Sequence, residues 1–542
     1  MRLARLEFLF NLRREWANPV TLPTPLLRGR IVMANPVIVA SVVIGAASVL
    51  AVYKRQQKKH VLPLPPSPKG DPIIAHLRCM PSEYEEIAYK AWGDELGSNI
   101  ISLNLLGQVI VVLNSVEDAN ELLVKRALQY SNRLQVPMLS SPGLSGWGNG
   151  TALVNYGDRH RSQRRITHEV LQKQALQSVW PAMIKQTRTS MQRISDATDL
   201  ESEIARMVGA VVLQSAYGYE VTEAEDPMVK IAKAGMRAFS DASMPADFLV
   251  NVLPWLEYVP AWFPGAHWKR NALAWNKARE DLITVPFEWT KKQMASGTAQ
   301  PSTLNSILTD LANKETDSDL DRAEEEDRIK WAMASLYGGA MDTTTSSLLV
   351  FIIAMIHSPD VQAKAQEELD AILNDQRLPE MEDQDSLPYI DRVIKEVLRW
   401  RPVAPLGVPH ASAEDDTYKG YFIPKGTVVM ANAWAMCNNP EVYNDPESFN
   451  PDRFIDPATP DPPAFGFGRR ICPGQHFAET SLFLAITTML TVFDIKPAKD
   501  EQGNNIIPDS KLTGKSLIRL PPPFRCSIEP RSEAKKKLLF QS

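Results

Sequence analysis

The stretch AFGFGRRICPGQHFAE, Ala464 to Glu479, places Cys472 in a glycine-rich, arginine-flanked loop that opens onto a helix. The other cysteines, Cys79, Cys437 and Cys526, are scattered, and no CxxC occurs. A disulfide framework and the common zinc or redox patterns are therefore excluded. A free cysteine is by default a small buried hydrophobe, but these neighbours argue for chemistry. Gly466, Gly468 and Gly474 admit close approach of the backbone to something bulky. A thiol at a helix start is shifted toward thiolate. One cysteine plus His476 is no zinc ligand set. A single thiolate in such a loop fits haem iron, with Arg470 pairing with a haem propionate.

The loop resembles the haem-binding signature of cytochrome P450, F-x-x-G-x-R-x-C-x-G, matched at Phe465, Gly468, Arg470, Cys472 and Gly474. Upstream, EVLR supplies that family's ExxR as Glu396 and Arg399. FNPDRF (Phe449 to Phe454) resembles its PERF segment, with Arg453 completing a Glu–Arg–Arg cluster. GAMDTT (Gly339 to Thr344) resembles the oxygen-binding motif of its long central helix. Alone, EVLR is a common helical ion pair; the ordered set carries the resemblance, over roughly residues 63–532.

The resemblance implies roles. Cys472 is the axial thiolate of haem b iron, and Phe465, Gly468, Arg470 and Gly474 bind the cofactor around it. Asp342 and Thr343 match an acid–alcohol pair delivering protons to dioxygen, which is chemically sensible for a hydroxyl that holds a water fed by a carboxylate. The plainer reading of TTTSS is a polar helix patch that bends the backbone. Glu396, Arg399 and Arg453 read as structural, a buried cluster costly to break. Where the family often carries a propionate-binding Trp, this chain has His160, one helical turn before Arg164, so both can face one propionate. His410 in PLGVPH is a further propionate donor or an exposed loop histidine. A second departure is Ala340 and Met341 ahead of the acid; both are expected to crowd the oxygen pocket.

The elements that must position these groups read as helices with a minor sheet. SPDVQAKAQEELDAIL has Ser358 at the N-cap and Pro359 at the first helical position. DRVIKEVLRW (Asp391 to Trp400) is a helix stopped by Arg401-Pro402. Gly338 and Gly339 fall inside a helix, where each costs about 1 kcal/mol, so a kink is expected there. Strand-like pieces are Asn99 to Asn114 and Gly420 to Met436. Acidic Lys314 to Arg328 reads as a solvated loop leading into a helix, and the basic tail 533–542 as disordered. The fold class is mainly α with a small β subdomain, the cytochrome P450 fold over 70–532.

Ahead of it, Ile31 to Tyr53 is uncharged over a length that spans roughly 34 Å as a helix, enough to cross a bilayer. A basic and proline-rich hinge follows at 54–69, and basic residues there favour the cytosolic side. No short apolar core with a clean cleavage site stands out, so 31–53 reads as an uncleaved transmembrane anchor. The extension 1–30 is Arg-rich, and whether it is transit-like or Met33 is the start is left open. The formal charge of −5 carries no nucleic-acid footprint.

Three segments expected to line the pocket are apolar: Asn132 to Gly148, Val403 to Pro409 and Lys515 to Arg519. They suit a hydrophobic ligand. By family analogy Phe248 to Gly265 dips into the membrane surface; the plainer reading is core packing. The expectation is a monomeric monooxygenase on the endoplasmic reticulum membrane. It takes electrons from NADPH through cytochrome P450 reductase and oxidises a terpenoid or other secondary metabolite, as fungal enzymes with similar wording do. An isomerase or dehydratase on the same fold and a non-catalytic haem-binding protein are the competing readings.

Overall fold

The computed structural model describes residues 62–541 apart from 73, 195–198, 224, 245–246 and 314–318. The extension 1–30, the anchor 31–53 and the first part of the hinge lie outside the described residues. In chain order, the elements that build the site begin with α1 (Glu85–Leu96), β1 (Ile100–Leu105), β2 (Gln108–Leu113) and β3 (Asn132–Arg133). Helices α2 (Asp158–Leu171), α3 (Leu200–Val212), α4 (Pro227–Ala242), α5 (His267–Ala295), α6 (Asp319–His357), α7 (Pro359–Leu373) and α8 (Pro388–Trp400) follow. Then come β4 (His410–Ala411), β5 (Asp416–Tyr418), β6 (Tyr421–Ile423) and β7 (Val428–Ala431). Helix α9 (Gln475–Val492), β8 (Phe493–Lys499), β9 (Asn505–Ile506), β10 (Cys526–Pro530) and α10 (Glu533–Leu538) close the chain.

Among the described residues the architecture is helical with three small sheets, the largest ordered β1-β2-β7-β4-β3. The first expected strand piece is the β1–β2 hairpin; the second supplies β6 and β7 but ends as a helix, Ala433–Cys437. Asn432 causes that switch, since its side chain accepts the Ala435 N–H as an N-cap. In the sheet, β3 and β4 pair antiparallel and set Arg133 opposite His410.

Helix α6 is the spine, about 58 Å long at 1.5 Å per residue. Leu348 to Ile356 are all buried. Among the described residues α6 is the one helix long and apolar enough to cross a membrane, but 78% of its apolar window is buried in protein, as in a core helix. It packs against α2, α3, α4, α5 and α9. Helix α8 turns Tyr389, Ile390, Val393, Val397 and Trp400 inward, with Glu396 and Arg399 on the same buried face. Ser358 occupies the N-cap of α7, yet its side chain makes no capping bond.

The expectation of a disordered tail is overturned. Residues Glu533–Leu538 form α10, with Leu538 and Leu539 buried in the main core. Lys535 pairs with Asp370 and, at 2.8 Å, with Asp375. A run of lysines reads as solvated in sequence; here two leucines pull it down onto α7 and α9.

Candidate active site

A cavity of about 360 Å³ runs beneath α6, between the Cys472 loop and the β3–β4 pair. Cys472 is the only one of the four cysteines on its wall. The backbone that presents it is a tight turn: the Cys472 N–H donates to Phe465 O at 2.8 Å, and Gly466 (φ 78°) and Gly468 (φ 57°) are left-handed. Such angles suit glycine. The glycines divide their work differently from expectation. A Cβ at Gly468 would sit 2.1 Å from Leu123 O, so its close approach is to the chain's own backbone. Nothing lies within 4 Å of such a position on Gly466, and on Gly474 only the Cys472 sulfur does, at 3.8 Å. Phe465 and Gly474 also line the cavity.

The Cys472 side chain opens to the cavity rather than to bulk solvent. Burial pushes its thiol up, against the pull of the Gly474 backbone N–H and the Arg164 guanidinium. Cys437 is wholly buried and its thiol is pushed up to about 12 by burial.

One end of the cavity is cationic. Arg470 donates from Nε to Ser131 O at 2.8 Å and from Nη2 to Val154 O at 2.6 Å. Arg164 reaches Ile471 O at 2.7 Å, which ties α2 to the cysteine loop. His410 is buried, not exposed, and its Nδ1 lies 2.7 Å from Tyr130 O. Beside it stands Arg133, which the sequence reading passes over; its signal is a lone charge inside the apolar run Asn132 to Gly148. Arg133 Nη1 donates to Val408 O. Burial first, then the arginines Arg470, Arg164 and Arg133, push His160 down to about 3, so it is neutral at pH 7. Burial and Arg133 likewise hold His410 well below the usual range.

The opposite wall is apolar. Trp147, Val403, Leu406, Leu517 and Ile518 come from the three expected segments. Met236 and Phe239 come from α4, which the sequence reading leaves unassigned, and Phe239 meets Trp147 edge to face at 5.1 Å. From α6, Thr343 lies on the wall and its hydroxyl donates to Gly339 O at 2.8 Å. Asp342 is off the wall. Burial, with Glu201 adding and Lys233 opposing, raises its carboxyl to about 7. Ala340 lines the cavity as expected, but Met341 does not; it is fully buried, its sulfur 3.5 Å from a Cβ built on Gly209 of α3.

The Glu396 cluster lies apart from the cavity, with Glu396 and Arg399 fully buried and Arg453 half-buried at its edge. Arg399 donates to both Glu396 oxygens at 2.8 Å, and Arg453 Nε lies 3.1 Å from each. The remaining Arg399 donors reach Cys437 O, Pro446 O and Ser448 O. Every charge is satisfied, the condition for tolerating such a pair.

The cytochrome P450 family model matches residues 65–527. The chain belongs to the cytochrome P450 family. Cytochrome P450 monooxygenase 208 of Postia placenta is 40% identical over 500 residues, covering 90% of this chain and 94% of that one. Cytochrome P450 monooxygenase ARMGADRAFT_974139 of Armillaria gallica is 38% identical over 494 residues, covering 89% and 94%. Cytochrome P450 monooxygenase claR of Ampulloclitocybe clavipes is 36% identical over 486 residues, covering 88% of each. As a P450 the protein is a haem-thiolate monooxygenase.

The cavity fits that cofactor. Arg133, Arg164 and Arg470 converge on it, and among the described residues none of the three pairs with a carboxylate. Three unpaired guanidiniums in one wall call for an anionic ligand. Arg133 Nε and His160 Nδ1 are buried without hydrogen-bond partners, a cost that a propionate oxygen would remove.

Proposed function

We propose that this P450 inserts one oxygen atom from O2 into a hydrophobic small molecule, a terpenoid or other secondary metabolite. Its electrons come from NADPH through cytochrome P450 reductase. Bound haem supplies the redox iron that activates dioxygen. Cys472 would hold the iron, and Arg133, Arg164, Arg470, His160 and His410 the propionates. Asp342, with a carboxyl at about 7, holds or releases a proton near neutral pH. Thr343 Oγ1 lies inside the cavity with its own hydrogen directed at Gly339 O, so it accepts a hydrogen bond and holds in place the water that carries the proton. The apolar wall excludes bulk water and takes up the substrate without charged contacts.

The uncharged stretch 31–53 anchors the protein in the endoplasmic reticulum membrane by a single pass, as a monomer with the catalytic domain cytosolic. A second observation supports a membrane setting. Trp255, Tyr258 and Trp262 are 62%, 85% and 78% exposed, while Val250, Phe248 and Leu256 of the same segment pack into or against the core, so the segment is both packed and aromatic on its outer side.

The observation that carries the functional reading is that one cysteine of four faces the cavity in which unpaired arginines converge. The test is a reduced carbon monoxide difference spectrum beside a Cys472→Ala control. A long-wavelength Soret band that vanishes in the control is expected. A histidine-like band, or folded protein that takes up no haem, would overturn it.

A further inference from the structure

Two residues of the apolar wall, Leu517 and Ile518, sit on a loop with no regular structure, yet the loop is fastened with unusual care. Arg519, next in sequence, is 2% exposed. Its Nη2 donates to Glu86 Oε2 at 2.8 Å, and Glu85 lies 3.8 Å away. Its Nη1 donates to Thr513 O at 2.8 Å, closing the loop on itself. The backbone is held as firmly: Arg519 N–H donates to Val403 O at 2.8 Å, and Arg519 O accepts the Ser346 hydroxyl at 2.6 Å.

Ser346 and the cavity-lining Ser347 are neighbours on α6, and Val403 is itself on the wall. Glu86 belongs to α1, which contributes nothing to the cavity wall. Helix α1 is in turn anchored, because Asn432 Nδ2 donates to Glu86 O at 2.8 Å. Its start interlocks with the same loop: Tyr84 N–H donates to Gly514 O at 2.8 Å, and a Cβ at Gly514 would meet the Tyr84 ring at 2.6 Å.

A buried ion pair adds little net stability but demands one geometry. We infer that the Arg519–Glu86 pair is a positioning device for substrate selection: through Arg519 it sets how far Leu517 and Ile518 enter the cavity, so the remote helix α1 bears on which hydrophobic ligands fit. Arg519 and Glu86 act through Leu517 and Ile518 and touch no substrate. This rests on the reading of the cavity as the chamber for haem and substrate.

The test uses the full, haem-loaded chain and two probes read by the Soret shift, imidazole and 1-dodecylimidazole. Imidazole reports the iron site alone; the dodecyl chain must pass along the apolar wall. In Glu86→Gln the imidazole Kd is expected to stay within about twofold, while the ratio of the two Kd values shifts at least about fivefold, with the carbon monoxide band retained. An unchanged ratio in folded, haem-loaded Glu86→Gln overturns the inference. Should that variant fail to fold, Ser346→Ala removes only the hydroxyl tie to Arg519 O. A ratio shifted at least about twofold is then expected, and an unchanged one overturns the proposal. No Soret response to imidazole in the unaltered protein would overturn the chamber reading itself, and this inference with it.

Discussion

Asp342 pays for its position on α6 in folding stability, and that cost has a definite pH signature. Its carboxyl is raised from 3.8 to about 7, with burial as the largest cause. A folded-state value above the unfolded one means the native state binds the proton more tightly. Stability from this group is therefore complete below about pH 4 and is lost as pH rises through 7, up to roughly 4 kcal/mol in all. Asp342→Asn should raise the thermal midpoint at pH 8, leave it unchanged near pH 4, and lower coupled product formation at both neutral and alkaline pH. A midpoint difference that does not vary with pH would show the carboxyl to be well solvated. His160 carries the opposite sign: with its value lowered to about 3, the native state loses ground as pH falls below 6.5.

At the scale of elements, the adjacent glycines of α6 are not equivalent. A Cβ at Gly338 would meet Met236 Sδ at 2.5 Å, whereas nothing lies within 4 Å of one at Gly339. Gly338 thus lets α4 settle onto α6, and Gly339 leaves room in the cavity. Both glycines lie within the continuous helix, so their purpose is close packing and space. Alanine in a helix interior is worth about 1 kcal/mol over glycine. Gly339→Ala should realise most of that gain in thermal stability while weakening binding of bulky ligands. Gly338→Ala should realise none, since Met236 must move. Equal gains in the two variants would count against this division. The Glu396 cluster shows the other kind of element-scale control, joining α8 to the segment carrying Arg453 through one carboxylate.

For the whole molecule, the last helix closes the domain. Leu538 and Leu539 are 5% and 4% exposed, Gln192 Nε2 donates to Leu539 O at 2.7 Å, and Lys535 pairs with Asp370 and Asp375. Fully burying a leucine contributes roughly 1.5–3 kcal/mol. Deleting 533–542 should therefore cost about 3–6 kcal/mol and lower the thermal midpoint by about 3–6 °C, without altering the Soret band of the folded protein. A midpoint that does not move would mean that α10 contributes no packing. Asp370 would keep its Arg531 partner at 2.6 Å in such a truncation, so the remaining chain loses contacts without gaining an unpaired buried charge.

Local order in the chain carried the chemistry. Phe465, Gly468, Arg470, Cys472 and Gly474 are legible because a turn and a ligand are specified by a few neighbouring residues. The helical face of α8 is equally local, since its period places Glu396 and Arg399 together. What the sequence could not show depends on contacts between residues far apart. Arg133 becomes part of the cationic wall only because β3 pairs with β4 and sets it opposite His410. Met341 leaves the cavity because α3 offers it Gly209. The tail is ordered because α7 presents Asp370 to Lys535. In each case the identity of the residue was plain, and the deciding quantity was which surface the fold brought against it. That is a tertiary fact, because burial and pairing energies belong to neighbours in space rather than in sequence.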